Sequence, residues 1–108
     1  MNRLLLHLSL IICIYSSCAV GEQILVDCQG SGQPLYLIVG GPAFTSKHLE
    51  PIQQQLQDSF RVCRWDMRGV GNNATLPIKQ DMPVLEQWLL DMAEVLPAQP
   101  VLLWGQSW

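Results

Sequence analysis

Apolar and polar positions between residues 24 and 104 fall into two kinds of run. Some are short and unbroken, ended by glycine or proline; in others apolar residues return every third or fourth position. Ile24 to Asp27 is a short β-type run, and the turn cluster Gly30-Ser31-Gly32-Gln33-Pro34 ends it. Leu35 to Val39 is continuously apolar, as suits a strand covered on both faces, and Gly40-Gly41-Pro42 closes it. A helix capped by Thr45 or Ser46 is predicted to run to about Ser59. Leu49, Ile52 and Leu56 lie along one side of it, and Lys47, Gln53, Gln54 and Gln57 face outward. Phe60 to Trp65 reads as the next strand. Asp66 to Asn73 is then a loop rich in residues that tolerate positive φ. Pro83 opens a second helix, in which Val84, Leu85, Trp88, Leu89, Met92 and Val95 recur at three- and four-residue steps until Pro97 and Pro100 end it. Val101 to Trp104 is the last strand.

Strands alternating with helices in this order predict an α/β protein: a mostly parallel sheet with flanking helices and right-handed crossovers, whose first strand can be antiparallel. Covering both faces of such a sheet takes more crossover units than 108 residues supply. Residues 20–108 are therefore expected to be the N-terminal portion of a domain and to be incomplete. Low-complexity tracts and internal repeats are absent from the sequence.

The first residues do not belong to that pattern. Arg3 precedes an apolar stretch from Leu4 to Tyr15, followed by the small residues Ser16, Ser17, Ala19 and Gly21, which is the layout of a secretory signal peptide over residues 1–19, with cleavage after Ala19 or after Gly21. The stretch falls short of the about 20 apolar residues of a membrane-spanning helix, so no transmembrane span is expected. A lipid anchor at Cys18 is the minor alternative, although Tyr15 stands where a lipoprotein signal usually has leucine. The expected location is secreted or periplasmic.

After Ala19, five basic residues (Lys47, Arg61, Arg64, Arg68, Lys79) face nine acidic ones, scattered along the chain, an acidic balance that argues against nucleic acid or an anionic membrane as partner. Cys28 and Cys63 remain once the leader is set aside. In an oxidising compartment they are a candidate disulfide, and two separately buried thiols are the other reading. No cysteine or histidine spacing resembles a metal site, and no metal is expected.

The chemistry-bearing segment is Gly105-Gln106-Ser107-Trp108, directly after the last strand. A strand end leading into a helix projects a serine hydroxyl above the sheet, and glycine two residues earlier relieves a cramped backbone, so Ser107 is the candidate nucleophile; the plainer reading is a helix N-cap serine. A tetrahedral oxyanion needs two N–H donors, one from the residue after the nucleophile and one from the loop after an earlier strand. Trp108 supplies the first. Pro42 has no N–H, which makes Gly41 the candidate for the second, against an ordinary Gly-Pro turn.

Leu37-Ile38-Val39-Gly40-Gly41-Pro42-Ala43, Arg64-Trp65-Asp66-Met67-Arg68-Gly69-Val70-Gly71 and Leu103-Trp104-Gly105-Gln106-Ser107-Trp108 resemble, in order and spacing, three motifs of the prolyl iminopeptidase-like α/β-hydrolases, a serine peptidase family. These are His-Gly-Gly-Pro-Gly, Asp-x-Arg-Gly-x-Gly and Gly-x-Ser-Trp-Gly-Gly. The resemblance covers the chain from about Cys28 to its end. It implies the N-terminal part of an α/β-hydrolase fold, truncated at the nucleophile elbow, in which Asp66, Arg68 and Gly69 form a structural loop beside the active site. Two positions depart from the motifs: Val39 stands in place of the histidine that tethers the oxyanion loop, and Ala43 in place of the last glycine.

In this fold the triad acid and histidine follow the serine in the chain. Asp66 and His48 both precede Ser107, so Asp66 is assigned a structural role and His48 is expected to be a solvated surface residue. The expected function is that of a serine hydrolase cleaving a small peptide with an N-terminal proline, or an ester, without any cofactor, and inactive in this fragment because the triad partners are missing. A non-catalytic binding module of the cell envelope is the alternative. It would melt cooperatively as a soluble monomer, whereas a fragment would leave Val101, Leu103 and Trp104 uncovered and aggregate. Dehalogenases and epoxide hydrolases of the same fold carry an aspartate at the elbow, which Ser107 argues against.

Overall fold

A computed structural model describes residues 23–41 and 44–106. The expected leader with Cys18, the Pro42-Ala43 pair, and the candidate nucleophile and oxyanion donor Ser107 and Trp108 lie outside the described residues. Four strands and two helices are laid out along the chain: β1 (Val26–Gln29), β2 (Gln33–Ile38), α1 (Glu50–Leu56), β3 (Phe60–Trp65), α2 (Val84–Val95) and β4 (Leu102–Gly105). Single 3₁₀ turns at Ser46–Leu49 and Gly71–Asn73 precede α1 and α2. The sheet order is β1-β3-β2-β4; β1 runs antiparallel to β3, and β2 runs parallel to both β3 and β4. The result is a small α/β protein with a mixed sheet, compatible with part of an α/β-hydrolase fold.

Successive right-handed crossovers that step in opposite directions along a sheet put their helices on opposite faces, and the packing follows that rule. Leu35, Leu37, Val39 and Val62 pack under Ile52 and Leu56 of α1, whereas Tyr36, Cys63 and Trp65 pack under Met92 and Val95 of α2. Alternate residues of β2 thus feed two different clusters, which is why its sequence shows no polar alternation. The Tyr36 and Trp65 rings meet edge to face at 6.4 Å.

Several boundaries depart from the expectation. The first helix begins as a 3₁₀ turn, and α1 proper starts at Glu50 with Pro51 in its first turn. Proline donates no N–H and crowds the carbonyl four residues back, so a regular α-helix cannot run through residue 51 from Thr45. Gln53 is buried rather than outward-facing. Its Nε2 donates to the carbonyls of Val62 (3.0 Å) and Asp27 (3.2 Å), and its Oε1 accepts from Arg64 Nε at 2.8 Å. Only half of the apolar stripe on α2 is covered: Leu85 and Leu89 are 53% and 52% exposed, while Gln87 and Asp91 are buried. The helix is turned so that these two polar side chains bond the loops beside it (below). Strand β4 is exposed along its whole length, Leu102, Leu103 and Trp104 included.

Cys28 and Cys63 stand opposite one another in the β1–β3 ladder, Cα atoms 4.0 Å apart, and their sulfurs are bonded. The separation of 35 residues makes this link effective on the unfolded chain, since closing a loop of that size removes entropy worth about 3 to 4 kcal/mol at 25 °C. Reduction, or replacement of both cysteines by alanine, is expected to lower the unfolding free energy by that amount in urea denaturation. Coincident unfolding curves with and without reductant would contradict it.

Candidate active site

Parallel pairing decides which loops meet. Because β2, β3 and β4 all point the same way, the segments that follow them emerge at the same carboxyl end of the sheet, where open α/β sheets bind ligands. These are Val39-Gly40-Gly41, Asp66 to Asn73 and Gln106. The β2–β4 register pairs Ile38 with Gly105, and the ladder continues through Gln106 N–H donating to the Ile38 carbonyl at 3.1 Å. Gly41 therefore lies three residues past a position hydrogen-bonded to the residue before Ser107. Val39, at the place of the resembled family's loop histidine, is buried in the core beside Leu49.

The loop after β3 is built around Asp66. This buried carboxylate accepts the Ser46 N–H on Oδ1 at 2.5 Å and the Asn72 N–H on Oδ2 at 2.9 Å. Two backbone donors at the mouths of two turns fix it as a structural clamp, joining the segment after β2 to the segment after β3. Gly71 has φ +50°, and a Cβ there would sit 2.3 Å from Asp66 Oδ2, so the close approach requires glycine. Asn73, also buried, donates Nδ2 to the Asp66 carbonyl at 2.6 Å and accepts the Leu25 N–H at 2.9 Å, which ties in the start of β1.

Arg68 reaches the opposite way. Its Nε and Nη2 each donate to one oxygen of Asp91 at 2.9 Å, and Nη1 donates to the Pro77 carbonyl at 3.0 Å. Both side chains of this forked pair are 8% exposed. Gln87, one turn earlier on α2, donates to the Lys79 and Met82 carbonyls and accepts the Lys79 N–H, and Trp88 Nε1 donates to the Arg68 carbonyl at 3.2 Å. Polar residues of α2 thus hold the loop from Arg68 to Met82. Gly69, at φ +79°, lies directly under the Ile78 side chain.

Two observations differ from the sequence reading of this end of the sheet. A Cβ built on Gly105 meets no described residue within 4 Å, so packing against those residues does not explain glycine there. His48 is exposed, as expected, yet it is engaged: Nδ1 contacts the Thr45 carbonyl at 2.6 Å, Nε2 contacts Gln106 Oε1, and the ring meets Phe44 edge to face at 6.4 Å. Local periodicity gave no sign of a partner 58 residues away. Among the described residues no group of three His, Cys, Asp or Glu could hold a metal ion, and no helix is long and apolar enough to cross a membrane.

No family model and no solved structure matches the chain. A proline iminopeptidase of Clostridium botulinum (strain Hall) is 30% identical over 89 residues, which is 80% of this chain and 30% of that protein. The chain thus spans about a third of the length of the curated relative it matches. The small α/β architecture, with its loops gathered at one sheet end, is compatible with part of an α/β-hydrolase fold.

Proposed function

We propose that this chain is part of a secreted or periplasmic serine hydrolase, with Ser107 as nucleophile and the N–H groups of Gly41 and Trp108 as oxyanion donors. Ser107 would attack the carbonyl carbon of a peptide or ester, and the negative charge developing on the carbonyl oxygen would be met by the two amides. The acid and base that follow the serine in this fold's chain order would belong to polypeptide after residue 108. The observation that carries the reading is the Ile38–Gly105 parallel pairing, which brings the Gly40-Gly41 turn and Gln106 to one end of adjacent strands. The relative's name favours a short peptide with N-terminal proline as substrate, with carboxylic esters second.

The test uses the product expressed from the whole gene, incubated with L-proline β-naphthylamide and with p-nitrophenyl esters, then with a fluorophosphonate probe. Turnover of either substrate, with the probe mapped by mass spectrometry to the peptide bearing Ser107, is the expected result. Labelling at another residue, or no turnover of either substrate, would overturn the proposal.

A further inference from the structure

We propose that His48 is a positioning residue, which fixes the oxyanion loop against the elbow by joining the Thr45 carbonyl to the Gln106 side chain. The proposal rests on the hydrolase reading above and deepens it. Two donors that act on one oxyanion must be held relative to each other within a few tenths of an ångström, yet in this chain they come from segments more than 60 residues apart in sequence. On the strand side the segments are joined by the Gln106 N–H to Ile38 carbonyl bond. The far end of the loop, beyond Gly41, needs a second attachment.

His48 supplies it. The ring lies in the 3₁₀ turn that ends the loop; Nδ1–H donates to the carbonyl of Thr45, the residue before that turn, and Nε2 faces the side-chain amide of Gln106, the residue before Ser107, which bonds it with the amide turned so that its N–H donates. The Phe44 ring packs edge to face with the imidazole, centroids 6.4 Å apart. The Asp66 carboxylate holds the same turn from beneath through the Ser46 N–H. Thus the loop is pinned to β3 by Asp66 and to the end of β4 by His48. In the resembled family a histidine at the start of the loop serves as tether; here that position is the buried Val39, and the imidazole comes from the loop's other end.

The closing experiment compares His48→Ala, Gln106→Ala, the double variant and His48→Gln in the whole gene product. His48→Ala is expected to lower kcat about 10- to 100-fold while KM changes by less than about twofold, because a misplaced donor weakens the transition state and leaves ground-state binding intact. The double variant is expected to be no worse than His48→Ala, since both changes cut the same link. His48→Gln, whose amide reaches as far as Nε2, is expected to restore most of kcat. Melting temperatures close to the parent's are expected throughout, since a single side-chain link of this kind contributes only about 1 kcal/mol to the fold. Full kcat in His48→Ala, or losses that add in the double variant, would overturn the proposal. If the parent turns over neither substrate, the hydrolase reading fails on its own, and the link is judged by the NMR resonances of the Gln106 side-chain amide. Movement of these in His48→Ala supports the tether, and their staying in place overturns it.

Discussion

Replacing Ser107 by alanine in the whole gene product is expected to lower kcat/KM on proline β-naphthylamide by roughly 10⁴- to 10⁶-fold while the melting temperature stays put. The size of the loss follows from what remains: without the hydroxyl no acyl-enzyme forms, and oxyanion donors and substrate contacts alone retain only a small part of the acceleration. The unchanged melting temperature follows from the size of the change, because losing one hydroxyl that neither caps a helix nor fills a core is worth no more than about 0.5 kcal/mol. The two readouts together separate a nucleophile from a helix-capping serine, which would move stability and leave chemistry nearly intact. An alanine variant retaining a tenth of the parent rate would sink the nucleophile assignment.

Asp91→Ala is expected to cost about 3 to 5 kcal/mol of folding free energy, among the largest single losses available in this chain. The variant takes away the carboxylate that receives two charge-assisted bonds from the Arg68 guanidinium, in a site where both side chains are almost wholly buried. A buried cation that loses such a partner is desolvated without the compensating attraction. The geometry also makes lysine a poor replacement at position 68, since a single ammonium cannot reproduce the fork. Replacing both partners together, as Arg68→Met with Asp91→Leu, is expected to cost less than Asp91→Ala alone, because the charge leaves along with its acceptor. Urea denaturation of Asp91→Ala and of the double variant measures the difference. Equal losses in the single and double variants would mean that packing, and not the ion pair, supports the loop.

Much of the architecture was legible in the sequence, for a physical reason that differs between elements. The sequence predicts β3 with its observed bounds because a run of six residues with no glycine or proline is bracketed by turn formers. Strand β1 lies two residues later than its own weak pattern predicts, because its register is set by partners on β3, with Val26 opposite Trp65 and Cys28 opposite Cys63. Apolar spacing predicts both helices but only part of the face that each one buries. Periodicity counts a glutamine or aspartate as outward, whereas Gln53, Gln87 and Asp91 are turned inward by hydrogen bonds to segments that periodicity does not see. The loops at the carboxyl end were legible as glycine-rich turns. That Asp66 clamps two of them, and that His48 touches Gln106, depends on the parallel order β3-β2-β4, which brings together residues 20 and 58 positions apart.

The cross-strand link between Cys28 and Cys63 carries a consequence for timing. Cys63 is wholly enclosed between the sheet and α2, and Cys28 is half covered, so small oxidants reach both thiols only while the first strand is still loose. Bond formation is thereby confined to the interval before the edge zips shut. Afterwards the sulfur of Cys63 is shielded, and attack on it must wait for β1 to open, which leaves Cys28 as the sulfur a reducing thiol meets first.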